Sequence, residues 1–248
     1  MSQNIYDTAT FFEGYSSLPR SQQGLPGMPE WPALQAMLPP LAGLNILDLA
    51  SGFGWFSRYA SSQNAKAVLG LEISSNMMAR AASFPADDKI TYKQANLEKL
   101  DLDGVQVDLA VCVLGLHYIV DLQNVVAQVF RALKAGGTFA VEVEHPIFTA
   151  PTHQDFTDVP LSTAKTIKVW PLYDYFREGP RVTRWLANDV VKQHRSVTSY
   201  LNIFLGAGFV LDRFFEWRPT EESLKSGLAS ERGFDRPVFL LMRFSKPE

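Results

Sequence analysis

Between Leu44 and Glu144, short apolar runs alternate with amphipathic segments, and no other feature restricts the architecture of this chain as strongly. "LNILDL" (44–49), "KAVLGLE" (66–72), "KITYKQA" (89–95), "VDLAVCVLG" (107–115) and "TFAVEVE" (138–144) read as strands. "GWFSRYASSQ", "SSNMMARAASF" and "DLQNVVAQVFRALKAGG" read as helices. Ser74 is placed to cap the second helix, and Asp121 lies near the start of the third. Val125, Val126, Val129, Phe130 and Leu133 give the third an apolar face, with Gly136 just past its end. Such alternation builds a doubly wound, Rossmann-like parallel sheet with helices on both faces. The unbroken run at 107–115 suits a central strand buried on both sides. Ligands of such sheets sit beyond the carboxyl ends of the strands. Asp48, Glu72, Asn96, Leu114 and Glu144 all fall there, along one edge.

The stretch "ILDLASGFGWFSRYA" (46–60) occupies the first of those edges. A dinucleotide fingerprint needs G-x-G-x-x-G, with the third glycine for close helix–strand packing. Here Gly52 and Gly54 are followed by Trp55, Phe56 and Ser57, so the third glycine is missing and a bulky ring crowds the loop. A phosphate-cradling P-loop is excluded, because no Gly-Lys-Ser/Thr follows. A nucleoside without a pyrophosphate fits better. It needs close backbone approach but no anion cradle, and Glu72 supplies a carboxylate matched to paired ribose hydroxyls. Asp48 is suited to an ammonium.

Composition excludes several classes. Net charge is −3, so no basic footprint for nucleic acid is present. The single cysteine, Cys112, lies in an apolar run, where a thiol packs as a small hydrophobe. One thiol makes no internal disulfide and no multi-thiolate metal site, and it suits a reducing cytoplasm. The N-terminus lacks the basic and apolar regions of a secretory signal, and no apolar run approaches a membrane span.

On these residues the chain resembles the class I S-adenosylmethionine-dependent methyltransferases. The matching segments are "LDLASGFG", "GLEIS", "KQANLEKL" and "LKAGGTFAVEVEHP", in order and at similar spacing. The C-terminal "HRSVTSYLNIFLGAGFVLDRFFEW" is similar to the closing helix and strands of the small-molecule members. The resemblance implies a seven-stranded sheet with an antiparallel C-terminal strand and S-adenosylmethionine as cofactor, leaving S-adenosylhomocysteine as product. It implies that Asp48, Ala50, Ser51, Gly52 and Gly54 line the methionine and ribose portion. Glu72 takes the ribose hydroxyls, Ile73 lies against the adenine, Asn96 and Leu97 hold its edge, and Leu114 lies along the cofactor. In the N-terminal arm, Tyr15 and Arg20 match the residues that such enzymes bring over the cofactor, with Arg20 set to meet the methionine carboxylate. Ala50 stands where the family has a glycine, which is acceptable if its φ is negative and costly if positive.

Methyl transfer from a sulfonium is an in-line displacement in which positioning dominates. A base is needed only where the acceptor loses its proton early. His117 after the fourth strand, His145 after the fifth and Glu144 at its end are the catalytic candidates. His194 is a weaker one, and His153 reads as solvent-exposed. A buried Glu144 requires a partner, and Arg184 or Arg195 is available to provide it. The chain reads as one domain: an arm and helix (1–43), a cofactor core (44–144), a substrate-covering insertion (145–193), and a closing helix with two antiparallel strands (194–248). Within the insertion, "RVTRWLANDVVKQ" reads as a hairpin turning at Ala187–Asn188. Trp170, Tyr173, Tyr175, Phe176 and Trp185 read as the lining of an aromatic acceptor pocket. The leading reading is a cytoplasmic small-molecule methyltransferase, monomeric or homodimeric, with no metal, nucleic-acid or membrane partner. Base-amine methylation is disfavoured, since "VLGLHY" stands where those enzymes carry an Asn/Asp-Pro-Pro-Tyr/Phe motif. A protein or nucleic-acid methyltransferase, a dinucleotide-dependent oxidoreductase, and a cofactor-binding protein without transferase activity are the alternatives.

Overall fold

The structure, a computed structural model, describes residues 3–248. It opens with three short helices, α1 (Ala9–Ser16), α2 (Pro19–Gln22) and α3 (Trp31–Gln35). The alternating core follows: β1 (Asn45–Leu49), α4 (Trp55–Ser62), β2 (Ala67–Glu72), α5 (Ser75–Ala82), β3 (Ile90–Gln94), β4 (Val107–Val113), α6 (Leu122–Ala132) and β5 (Leu133–Glu144). Next come α7 (Pro146–Thr149), the hairpin β6 (Thr157–Ser162) and β7 (Lys165–Val169), and the hairpin β8 (Gly179–Trp185) and β9 (Ala187–His194). The chain closes with α8 (Val197–Gly206), β10 (Val210–Glu216), α9 (Glu221–Lys225) and β11 (Phe239–Ser245).

Seven strands form the main sheet in the order β10-β11-β5-β4-β1-β2-β3. β11 runs antiparallel to both neighbours, and the other pairings are parallel. Strand alternation divides the core between two faces. Leu47 and Leu49 of β1, Ala110 and Cys112 of β4, and Phe139, Val141 and Val143 of β5 pack with α6 and α8. Ile46, Leu109, Val111 and Ala140 point the other way, onto α3 and α4. Both faces are buried, which is why the strands read as continuous apolar runs and not as alternating ones. Ser74 caps α5 as expected, accepting from the Met77 N–H.

A third, smaller cluster joins the arm to the second hairpin. Phe11 and Tyr15 of α1 meet Trp185 edge to face, and Val190 of β9 packs with Ile5 and Phe11. Asp7 anchors the arm by accepting from the Ser74 hydroxyl (2.5 Å) and the Asn76 N–H (3.0 Å) at the start of α5. A carboxylate is well placed at a helix N-terminus. The hairpin forms where it was expected, but it turns at Leu186, not at Ala187–Asn188: Trp185 pairs with Ala187 across a left-handed Leu186 (φ 59°). Leu186 lies against Gly14 of α1, so the turn residue packs onto the arm.

Candidate active site

The carboxyl ends of β1 to β5, the arm and the β8–β9 hairpin enclose a cavity of about 530 Å³. Asp48 and Glu72 stand at the ends of β1 and β2, both buried. The Ser57 hydroxyl of α4 donates to Asp48 Oδ2 at 2.6 Å. Hydrogen bonding from Ser57 does not offset burial, which pushes the Asp48 carboxyl up to about 7. Glu72 accepts from the Gly52 N–H (2.9 Å) and the Ser74 N–H (2.9 Å), and burial still raises it above the usual carboxylate range. The Glu72 carboxylate thus shapes the loop that carries Gly52 and also keeps lone pairs toward the cavity.

The two loop glycines have different reasons to be glycine. Gly52 adopts φ 56°, and a Cβ built there meets nothing within 4 Å, so its backbone is open to a ligand. Gly54 (φ 74°) does not line the cavity: it precedes α4, and a Cβ there would collide with the Tyr92 hydroxyl. The expectation that Gly54 faces the cofactor is corrected on that ground. Ala50 also departs from expectation. Its φ is +56°, not negative, so it carries the left-handed strain that a glycine would avoid. Space for its methyl comes from Gly115, where any side chain would approach the Ala50 Cβ to 2.6 Å. Leu114 is left-handed as well (φ 55°). Ser51, Ile73, Asn96 and Leu97 line the same end. Asn96 Oδ1 already accepts from the Glu98 N–H (2.9 Å), which leaves one lone pair for a ligand.

From the arm, Tyr15 and Arg20 line the cavity. Arg20 is not free: it donates to the fully buried Glu30 at 2.8 Å. Behind that pair Glu142 is also fully buried, with neither carboxyl oxygen hydrogen-bonded among the described residues. Burial first, and then Glu30, hold its carboxyl well above the usual range.

At the β5 end, His117, Tyr118, Glu144 and Lys192 line the cavity. The partner of Glu144 is neither Arg184 nor Arg195, as the sequence suggested, but Lys192, whose Nζ lies 2.5 Å from Oε1. Arg195 instead donates to the carbonyls of Ile119 and Val120, and Arg184 is exposed. Burial alone would raise the Glu144 carboxyl; Lys192 and then His117 outweigh it and hold it low. Oε2 of Glu144 has no hydrogen bond among the described residues. Burial lowers His117 to about 4, so its imidazole is neutral at pH 7. Its Nδ1 accepts from the Glu144 N–H at 3.3 Å, which makes Nε2 the protonated nitrogen.

His145 does not reach the cavity. Its Nδ1 accepts from the Ile147 N–H to cap α7, and its Nε2 lies 2.9 Å from Glu216. The catalytic expectation for His145 is corrected: both ring nitrogens are occupied. His194 is likewise fixed, between Thr149 and the Tyr175 carbonyl. Of the five insertion aromatics, only Trp185 lines the cavity, and Phe176 is 86% exposed. Tyr6, Tyr118, Phe148 and Phe239 supply the rings instead. Sequence reasoning missed Tyr6, Tyr118, Lys192 and Arg236. Lys192 had a signal: in β9 it shares the inward face with Val190 and His194, at strand period two.

Comparison with known proteins fits this geometry. A family model described as a methyltransferase domain matches residues 47–141. A crystal structure of an S-adenosylmethionine-dependent methyltransferase from Mesorhizobium loti is 42% identical, with a TM-score of 0.81, covering 90% of this chain and all of that one. The chain belongs to the S-adenosylmethionine-dependent methyltransferases. This methyltransferase is also 35% identical over 108 residues to the malonyl-[acyl-carrier protein] O-methyltransferase of Enterobacter lignolyticus, a match covering 44% of this chain and 42% of that protein. It is 28% identical over 206 residues to a ubiquinone/menaquinone biosynthesis C-methyltransferase of Proteus mirabilis, covering 79% and 68%. Family membership removes the oxidoreductase alternative. No helix among the described residues is long and apolar enough to cross a membrane.

Proposed function

We propose that the chain methylates a small-molecule acceptor on oxygen, nitrogen or carbon, inside this cavity. The observation that carries this reading is the division of the cavity into two chemically different ends. At one, buried Asp48 and Glu72 stand beside the open backbone of Gly52, with no cationic side chain paired to either among the described residues. Acids left without a counter-charge fit a cationic ligand, as S-adenosylmethionine is. Glu72 would hold its ribose hydroxyls, Ile73, Asn96 and Leu97 its adenine, and Asp48, Ala50, Ser51, Gly52 and Leu114 its methionine portion, under a roof that includes Tyr15. When bound, S-adenosylmethionine supplies a methyl group on an already activated sulfur leaving group.

The chain's own contribution is made at the other end. Glu144 Oε2 is buried without a hydrogen bond among the described residues, so an acceptor O–H or N–H that reaches it would satisfy it and be aimed for methyl transfer. His117 presents Nε2–H as a donor, and its acceptor nitrogen is already used, so it orients the acceptor and does not remove its proton. The arm and the 145–193 segment form the cover that excludes water, with Trp185 and Tyr6 on its inner surface. A concave cavity of about 530 Å³ suits a metabolite better than a protein or nucleic-acid strand. The reading places the chain in the cytoplasm, where the buried thiol of Cys112 stays reduced.

The test is incubation of the protein with methyl-labelled S-adenosylmethionine and separated cell fractions. Label in the small-metabolite fraction is expected. Label confined to protein or RNA, or found nowhere, contradicts the proposal.

A further inference from the structure

Pairing the cations around the cavity with its carboxylates leaves two arginines over. Arg20 is matched by Glu30 at 2.8 Å and Lys192 by Glu144 at 2.5 Å. Arg184 and Arg236 also line the cavity, and neither makes an ion pair among the described residues. Arg184 is exposed, where water solvates it. Arg236 is half-buried, and its Nε is fully buried without a hydrogen bond among the described residues. The acids near it are taken: Asp235 by Arg232 at 3.0 Å, Glu144 by Lys192.

Arg236 is nonetheless held in place. Its guanidinium carbon lies 4.2 Å from the ring centre of Trp170, 4.6 Å from Phe148 and 5.2 Å from Phe156. The rings are themselves fixed, since Trp170 stacks on Phe148 and donates its indole N–H to the Ile147 carbonyl at 2.9 Å. Aromatic faces attract a cation without neutralising it. They leave its planar fork of donors ordered, which is the shape that matches a carboxylate or phosphate in two-point contact.

The position of Arg236 separates it from the cofactor. It lies three residues before Phe239, which is paired in register with Glu144, and the Val238 carbonyl between them accepts from the His145 N–H. β5 is two strands from β1 and three from β2, roughly 10–15 Å at ordinary strand spacing. Arg236 therefore faces the acceptor end, where Glu144 and His117 stand.

We infer that the methyl acceptor carries an oxyanion group, a carboxylate or a phosphate, and that Arg236 is the residue that recognises it. The inference rests on the methyltransferase reading above and narrows its substrate class to small acids. Arg184, exposed and lining the same cavity, adds long-range attraction for an anion.

Three fluorinated probes test it by fluorine NMR on protein saturated with S-adenosylhomocysteine: 4-fluorobenzoate, 4-fluorophenyl phosphate and the neutral 4-fluorobenzyl alcohol. At least one acid is expected to bind about tenfold or more tightly than the alcohol, the scale of a charge-assisted hydrogen bond. Which acid wins distinguishes carboxylate from phosphate. In Arg236→Gln the preference disappears while S-adenosylhomocysteine affinity stays within about twofold, and Arg236→Lys keeps part of it. Equal binding of acids and alcohol, no binding of either acid, or a preference that survives in Arg236→Gln overturns the inference. The comparison within the wild-type protein needs no variant, so a misfolded mutant does not spoil it. If wild-type protein fails to bind S-adenosylhomocysteine at all, the methyltransferase reading has failed instead, and the two failures are distinct.

Discussion

Asp48 and Glu144 are buried carboxylates at opposite ends of one cavity, and they titrate in opposite directions. Asp48 has no paired cation, only hydrogen bonding from Ser57, and burial raises it to about 7. Glu144 has Lys192 at 2.5 Å, and its value falls below the usual range. The difference shows how the chain divides its work. At the β1–β2 end an acid is left for an incoming cation to satisfy. At the β5 end Lys192 balances Glu144, and the cavity's unpaired cations are Arg236, held by aromatic rings, and the exposed Arg184.

The largest effect should come from Asp48. Its folded value lies above the ordinary 3.8, so the stability it contributes is present below that pH and is lost as pH rises toward about 7. The span corresponds to about 4 kcal/mol. Denaturant midpoints from pH 4 to 7 should fall for the wild type and fall less steeply for Asp48→Asn, in which the raised Glu72 and Glu142 still contribute; equal slopes would break the contrast. Glu144 contributes with the opposite sign, present above its ordinary 4.5 and lost as pH falls through its lowered value.

Next is Lys192→Met, which strands the Glu144 charge and should cost about 3 kcal/mol in unfolding free energy. Adding Glu144→Gln should return most of that loss. A double variant no more stable than the single one would show that the pair is not what holds the β5 end.

The two glycines sharpen the comparison within the cofactor end. Gly54→Ala meets the Tyr92 hydroxyl in a left-handed backbone and should lower stability by about 2–3 kcal/mol. Gly52→Ala has open space and should cost only about 1 kcal/mol, yet weaken S-adenosylhomocysteine binding. Thermal unfolding and calorimetry on the same samples separate the two; matching losses of stability would refute the distinction. The smallest effect is a gain: Ala50→Gly relieves the strain at φ 56° and should raise stability by about 1 kcal/mol in the same unfolding assay.

The two ends also differ in how far they can be read from sequence. The β1–β3 end is made from strand ends and the turns that follow them. Asp48, Glu72 and Asn96 are therefore placed by local periodicity, and the five core strands and the Ser74 cap follow from the same pattern. The other end is assembled from distant segments. Lys192 reaches Glu144 across 48 residues of sequence, and Tyr6 reaches Tyr118 across 112, distances over which local pattern carries no information. His145 illustrates the limit: its position after a strand is that of a site residue, but Ile147 and Glu216 occupy both of its nitrogens. Ala50 shows a second limit. The sign of its φ depends on whether space exists for a methyl, and Gly115, sixty-five positions later, provides that space.

Calorimetric titration of S-adenosylhomocysteine into wild-type, Glu72→Ala and Glu144→Gln proteins tests the division of the cavity most directly. Loss of the ribose-facing carboxylate should weaken binding about 100-fold, the scale of two hydrogen bonds to a charged group, while Glu144→Gln should stay within about twofold of wild type. Unchanged affinity in Glu72→Ala, or an equal loss in both variants, would contradict it.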